Sequence, residues 1–205
     1  MYKQIIIARK DLNMSPGKLS TQVSHASMAF LTNMLRNNTK RNVTNVCYAY
    51  DPTRPGENKP QYYRRGDLNN WAEETRNAGK RFFYVKPVDQ SKPNGPLELC
   101  DPIYEYNVKF KIDIDLFEQW INGSFTKVVC KAKNRNHLLK AKTIAEELGL
   151  KEGEDFFLIK DNCLTELEPE ETDEDGVGRT LTCIGFKPLD SEIANKISKK
   201  FQLYE

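Results

Sequence analysis

Apolar residues at Leu19, Val23, Ala26, Phe30 and Met34 recur at steps of four, three, four and four, the stripe of an amphipathic helix. Ser15 can cap the first exposed amides of that helix, and Pro16 falls at the first helical position, where no N–H is needed. Lys18, Gln22 and His25 stand at i, i+4 and i+7 and share a second, polar face. Ahead of the helix, Ile5-Ile6-Ile7-Ala8 is a continuous apolar run rich in β-branched residues, which predicts a strand buried on both faces. Residues 9–14 join the two as a loop.

After residue 113 the pattern is regular again. Residues 115–121 predict a short helix carrying Leu116, Phe117 and Trp120, stopped by Asn122-Gly123. Strands are predicted at 126–131, 155–160 and 180–186, a helix over 136–148 stopped by Gly149, and a closing helix over 191–200. The fold class is therefore α/β: a four-stranded mixed sheet at about 4–8, 126–131, 155–160 and 180–186, with helices on both faces. No helix-length apolar pattern separates the last two strands, so they should pair antiparallel through a long connection. Residues 38–113 differ in texture, dense in Asn, Pro, Tyr and basic residues. They read as a partly structured insertion, with a helix at 68–77 and strands at 81–85 and 104–112, in a domain made of 1–37 and 114–205.

Composition narrows the partners. A net charge of +2 over 205 residues gives no global cationic field, so any nucleic-acid surface must be local. Residues 1–37 carry five Lys/Arg against one Asp, whereas 114–205 carry 13 against 18 acids. The five cysteines (Cys47, Cys100, Cys130, Cys163, Cys183) are odd in number and contain no C-x-x-C pair, which points to a reduced, cytoplasmic setting. With His25 and His137 alone, a clustered metal site is not expected, nor any cofactor. The first apolar run is too short for a signal peptide or a membrane span.

Some residues stand out chemically. Lys18 would lie in the first helical turn, where the helix dipole favours an anion; it either awaits a phosphate or carboxylate or is an exposed lysine tolerated at small cost. Arg9 and Lys10, at the carboxyl end of the first strand, are either part of such a site or ordinary solvated loop charges. Asp161 stands at the carboxyl end of the third strand, where α/β proteins place functional groups, although Asp-Asn also suits a turn. Arg64 and Arg65 beside Tyr62 and Tyr63 suit stacking on single-stranded nucleic acid, or equally the packing surface of a small subdomain. Seven carboxylates within residues 166–175 should repel one another and form a solvated, mobile loop. No Gly-x-Ser-x-Gly elbow, P-loop, zinc signature or dinucleotide fingerprint is present.

Residues 3–11, followed by Gly17-Lys18-Leu19-Ser20-Thr21-Gln22-Val23-Ser24-His25-Ala26, resemble the opening of the archaeal/eukaryotic-type peptidyl-tRNA hydrolases, the Pth2 family. The likeness continues through Trp120, Gly123 and 126–131, resumes at 158–165 and ends at 180–185, about 125 residues in the family's order. It implies a compact α/β enzyme, commonly a homodimer, that hydrolyses the ester between a peptide and the 3′ end of tRNA; such hydrolysis needs no metal if the donors are pre-placed. The family's proposed active-site residues fall on Lys18, Gln22, Asp161, Thr165 and Thr180, and His25 belongs to the same motif as a possible supporting residue. On the residues' own chemistry, Asp11 is a further candidate for support, and Arg9, Lys10, Arg64 and Arg65 are candidate RNA contacts. Where the family has Asp-Ala-Gly-Arg-Thr, this chain has Asp161-Asn162-Cys163-Leu164-Thr165, losing a glycine and a basic residue. A non-catalytic tRNA- or protein-binding module on the same scaffold is the alternative class.

Overall fold

The computed structural model describes residues 1–43, 46–50, 81–88, 91, 97–100, 104–109 and 111–205. In chain order the elements are β1 (Tyr2–Arg9), α1 (Pro16–Asn38), β2 (Thr39–Val43), β3 (Val46–Tyr50), β4 (Arg81–Pro87), β5 (Leu97–Cys100) and β6 (Tyr104–Val108). There follow α2 (Ile114–Leu116), which runs into a π-helical turn (Phe117–Ser124), then β7 (Lys127–Ala132), α3 (Arg135–Glu147), β8 (Phe156–Asp161), β9 (Glu171–Thr172), β10 (Gly178–Phe186), β11 (Leu189–Asp190), α4 (Ser191–Ser198) and β12 (Gln202–Leu203). The chain divides into two compact units, Met1–Asn37 with Phe110–Glu205, and Asn38–Lys109. Among the described residues no helix is long and apolar enough to cross a membrane.

The first unit is built on a mixed sheet of seven strands, not the four that the apolar runs predict. Its path is β12-β7-β1-β10-β8, with β11 paired to β1 and β9 to β10. The additional strands β9, β11 and β12 are two residues long, too short for any alternation to show in sequence. β7 runs parallel to β1, with Ile5 opposite Val128 and Ile7 opposite Cys130, and β10 runs antiparallel to β1. β8 and β10 pair antiparallel, as the lack of a crossover helix between them requires. β1, β7 and β8 consequently point the same way, and their carboxyl ends share one edge of the sheet.

Both faces of β1 are covered, which is why its sequence is apolar throughout. Ile5 and Ile7 join Leu138 and Ala141 of α3 and Ala194 and Ile197 of α4 in the larger core. Ile6 and Ala8 face the opposite way, onto Leu19, Val23 and Ala26 of α1. Burying each such aliphatic side chain contributes about 1.5–3 kcal/mol. Gln4 is fully buried within the same strand, and its amide is satisfied. Nε2 donates to the carbonyls of Ser27 (2.8 Å) and Phe186 (3.0 Å), and Oε1 accepts from the Ser27 hydroxyl (3.2 Å). One side chain thus ties β1, α1 and β10 together.

Local signals set the element ends. The Ser15 hydroxyl accepts from the Lys18 amide (3.2 Å), starting α1 as its sequence predicts. Asn134 caps α3 through the His137 amide (2.9 Å), and Gly149, at φ +80°, ends it. The stretch predicted as a plain helix at 115–121 is instead one α-turn followed by a π-turn, closed by Phe125 at φ 48°, whose N–H donates to the Trp120 carbonyl. The buried Trp120 indole donates to the Thr126 carbonyl (2.9 Å) and meets Phe30 edge-on at 5.9 Å.

The second unit contains a two-stranded antiparallel pair, β2 with β6, and a three-stranded antiparallel sheet in the order β3-β4-β5. β2 and β3 lack the alternation that marks a strand in sequence, and β5 is only four residues long. The helix predicted at 68–77 lies outside the described residues.

The acidic connection between β8 and β10 is tied down rather than free. Glu171 pairs with Arg135 and Lys160, Asp173 with Lys160 and Arg179, Asp175 with Arg179, and Glu170 with Arg9. Opposite charges from β1, β8, β10 and α3 compensate the repulsion that its own sequence predicts. Hydrogen bonds from Lys160 and Arg179 hold the Asp173 carboxyl below the ordinary carboxylate range, and Arg179 and the Val177 amide do the same for Asp175. A depressed folded-state pKa adds stability that is present above the unfolded value, near 4, and lost as pH falls through the folded one. Amides between Glu170 and Arg179 are therefore expected to lose hydrogen-exchange protection below about pH 4, before the β1 amides do.

Candidate functional site

The helix start and the strand end converge on one carboxylate. Asp161, the last residue of β8, accepts from Lys18 Nζ (2.7 Å) and from Gln22 Nε2 (2.7 Å) at Oδ2, and from the Cys163 amide (2.9 Å) at Oδ1. Lys18 also donates to Thr165 Oγ1 (3.0 Å). An ammonium has three donors, so one remains for a further acceptor. Gln22 is buried, and its carbonyl accepts from the Thr182 hydroxyl (2.7 Å), so its amide can present only Nε2 to Asp161. The Lys18 and Asp161 side chains are 13% and 10% exposed, enough to meet a ligand from an enclosed surface. Lys18, Gln22, His25, Lys160, Asp161, Asn162, Leu164 and Thr165 line a cleft of about 250 Å³ over the pair.

Four of the five residues that the sequence predicts as catalytic meet there. Thr180 does not line the cleft, although it stands opposite Asp161 in the β8–β10 register. Its buried hydroxyl donates to the Glu168 carbonyl (2.6 Å) and accepts from the Glu170 amide (3.0 Å), anchoring the acidic loop. Arg9 requires a correction as well. Expected as an RNA contact, it is 3% exposed and fully engaged. Its guanidinium donates to Asp11 (2.7 and 3.1 Å), to Glu170 (2.5 and 2.7 Å) and to the Leu181 carbonyl (3.0 Å). Burial disfavours its charge, but the two carboxylates outweigh that and hold its pKa above the ordinary arginine value. Asp11 therefore supports the sheet end by pairing Arg9. His25 is exposed at the rim of the cleft. Lys10 lies on the surface against the Tyr204 ring (5.1 Å). Arg64 and Arg65 lie outside the described residues.

Two residues that shape the cleft carry no signal of that placement in the sequence. Thr182 reaches Gln22 because the β8–β10 register shifts between Leu181 and Cys183, and a bulge re-aims the inserted residue. Glu166 accepts from both the amide (3.0 Å) and the hydroxyl of Ser15, closing the loop after β8 onto the start of α1. Those bonds hold the Glu166 carboxyl below its ordinary range. Leu164, where a basic residue stands in the resembling pattern, is 87% exposed at the cleft mouth. Cys183 is pushed up to about 12 by burial, which keeps it a thiol and a packing residue. Among the described residues no group of three or more His, Cys, Asp or Glu is arranged to hold a metal ion.

Comparison with known proteins bears on the family of the chain. The family model described as peptidyl-tRNA hydrolase PTH2 matches residues 2–77 and 100–204. A peptidyl-tRNA hydrolase of Thermococcus sibiricus is 25% identical over 202 residues, 98% of this chain and 97% of that protein. One from Methanopyrus kandleri is 25% identical over 199 residues, 97% and 94% of the two chains. One from Thermococcus onnurineus is 32% identical over 87 residues, 42% of this chain and 63% of its own length. The first two alignments cover nearly the whole of this chain, the 38–113 segment included. A family match over most of the chain places it in the PTH2 family of peptidyl-tRNA hydrolases.

Proposed function

We propose that the chain hydrolyses the ester joining a peptidyl, or N-blocked aminoacyl, group to the 3′ end of tRNA, with Asp161 as general base. The observation that carries this is the convergence of Lys18, Gln22 and Thr165 on or beside one strand-end carboxylate inside a cleft. Asp161 takes a proton from water as the water oxygen attacks the ester carbonyl carbon; on collapse it returns that proton to the departing ribose oxygen. The remaining donor of Lys18 faces the developing oxyanion or a terminal phosphate. Gln22, locked by Thr182, keeps the carboxylate oriented, and Thr165 positions the water. Thr180 contributes by anchoring the loop rather than by meeting substrate.

The residues provide an acid–base group and cationic stabilisation, so the reaction is written without a metal or cofactor. Lys10, Arg64 and Arg65 are assigned to RNA contact, 38–113 to an accessory segment, and the protein to the cytoplasm, where its substrate arises. Dimerisation, checked by sedimentation velocity, belongs to the same reading. The deciding experiment is release of peptide from purified peptidyl-tRNA. Release at catalytic enzyme concentration, unchanged by EDTA, is expected. Stoichiometric tRNA binding with no release would replace the hydrolase by the binding-module reading, and loss of release in EDTA restored by a divalent ion would remove the metal-free mechanism.

A further inference from the structure

We infer that the crevice between the carboxyl ends of β1 and β7 is a second, separate anion site that seats backbone phosphates of the RNA. This rests on the reading of peptidyl-tRNA as substrate. The topology opens the crevice: β1 leads into α1 over one face of the sheet, while its parallel neighbour β7 leads into α3 over the other. Adjacent parallel strands whose helices leave to opposite faces part at their carboxyl ends, where open α/β sheets bind ligands.

The chemistry there is cationic. The crevice encloses about 540 Å³, and four lysines line it: Lys10, Lys131, Lys133 and Lys200. Lys133 and Lys200 are exposed, and neither makes an ion pair among the described residues. Lys131 has one loose pair at 3.9 Å, with an 87% exposed Glu205 carboxylate that screening renders weak; Lys10 donates to the Glu205 main-chain oxygen (3.2 Å). Asp11 also lines the space, but both its oxygens accept from Arg9. His137 supports the wall by stacking on Phe201 (4.6 Å), while its Nδ1 accepts from the Lys133 amide (3.0 Å). Burial, with Lys140 and Lys133 nearby, lowers its pKa.

An extended polyanion fits better than a free phosphate. β7 and β8 are three strand spacings apart in the sheet, about 14 Å, and their carboxyl ends share one edge. One ligand that meets both Asp161 and the lysines must therefore span that edge. Flexible lysines offer point charges without base readout, which suits an RNA backbone recognised regardless of sequence.

The test is equilibrium binding of tRNA to the full chain across salt concentrations. In the double variant Lys133→Gln/Lys200→Gln the dissociation constant should rise at least fivefold at low salt. The slope of log K against log salt should fall by about 1.5, since each phosphate contact contributes about 0.7–0.9. In turnover the same variant should raise KM for peptidyl-tRNA and leave kcat within twofold. A control with the same charge change at the opposite end of the sheet, Lys127→Gln/Lys151→Gln, should alter binding less than twofold. Parent-like affinity and slope in the first variant would overturn the site, as would equal weakening in the control, which would indicate only a diffuse field, or a parent that binds no tRNA. A parent that binds tRNA but releases no peptide would remove the hydrolase reading and leave the crevice to be judged on binding alone.

Discussion

Asp161→Asn and Lys18→Ala are each expected to lower the turnover of peptidyl-tRNA at least tenfold, with thermal midpoints close to the parent. Asparagine keeps the volume of Asp161, and its carbonyl can still accept from Gln22 Nε2 or the Cys163 amide, so the end of β8 should keep its shape. What it loses is the basic oxygen that would take the proton from water, and the charge opposite Lys18 at 2.7 Å. Alanine at 18 removes the cation that the proposed mechanism sets against the reacting ester and leaves the cap of α1 intact, because Ser15 bonds to the residue's backbone amide. Tenfold corresponds to about 1.4 kcal/mol of transition-state stabilisation, a floor for a general base whose loss commonly costs more. Near-parental rates in both variants would detach the Lys18–Asp161 pair from the chemistry and leave it as a structural ion pair.

The second large effect is on the fold and passes through it to the site. Gly185→Ala is expected to destabilise the protein by about 2–3 kcal/mol, read as a fall of roughly 1 M in the urea midpoint. A Cβ on Gly185 would lie 2.2 Å from the Ala26 carbonyl oxygen, 2.7 Å from its carbonyl carbon and 2.9 Å from its Cα. All three are backbone atoms of α1, so no side chain can rotate away; the helix must back off the sheet. Gln22 and Lys18 sit on that helix and Asp161 on the sheet, so activity should fall in the fraction that stays folded. The contrasting substitution is Gly17→Ala. Nothing lies within 4 Å of the added Cβ, and a helical position gains from replacing glycine, so stability should hold or rise by up to about 1 kcal/mol.

These two substitutions separate local information from tertiary information. β1 was legible because burial on both faces demands an unbroken apolar run, and α1 because one buried stripe demands a 3.6-residue period. The same rules missed β9, β11 and β12, since two residues cannot express a period, and they could not foresee the π-turn after α2. Charge was harder still to interpret. A basic residue at a strand end looks the same in sequence whether it meets solvent or, like Arg9, is buried between Asp11 and Glu170. Likewise the acidic stretch looks free until Arg9, Lys160, Arg135 and Arg179 are brought against it from four other elements.

By itself, then, the sequence determined where the strand and helix of the site begin, their buried faces, and that a lysine, a glutamine and an aspartate stand at positions able to carry chemistry. Tertiary structure alone decided that they meet. Gln22 and Asp161 are 139 residues apart, and their 2.7 Å contact depends on the β8–β10 register, on the bulge that turns Thr182 toward Gln22, and on a Gly185 bare enough for α1 to touch the sheet. Periodicity reports which face of an element is buried. It contains nothing about which distant element buries it, because that choice is made by packing and register between segments that share no local pattern.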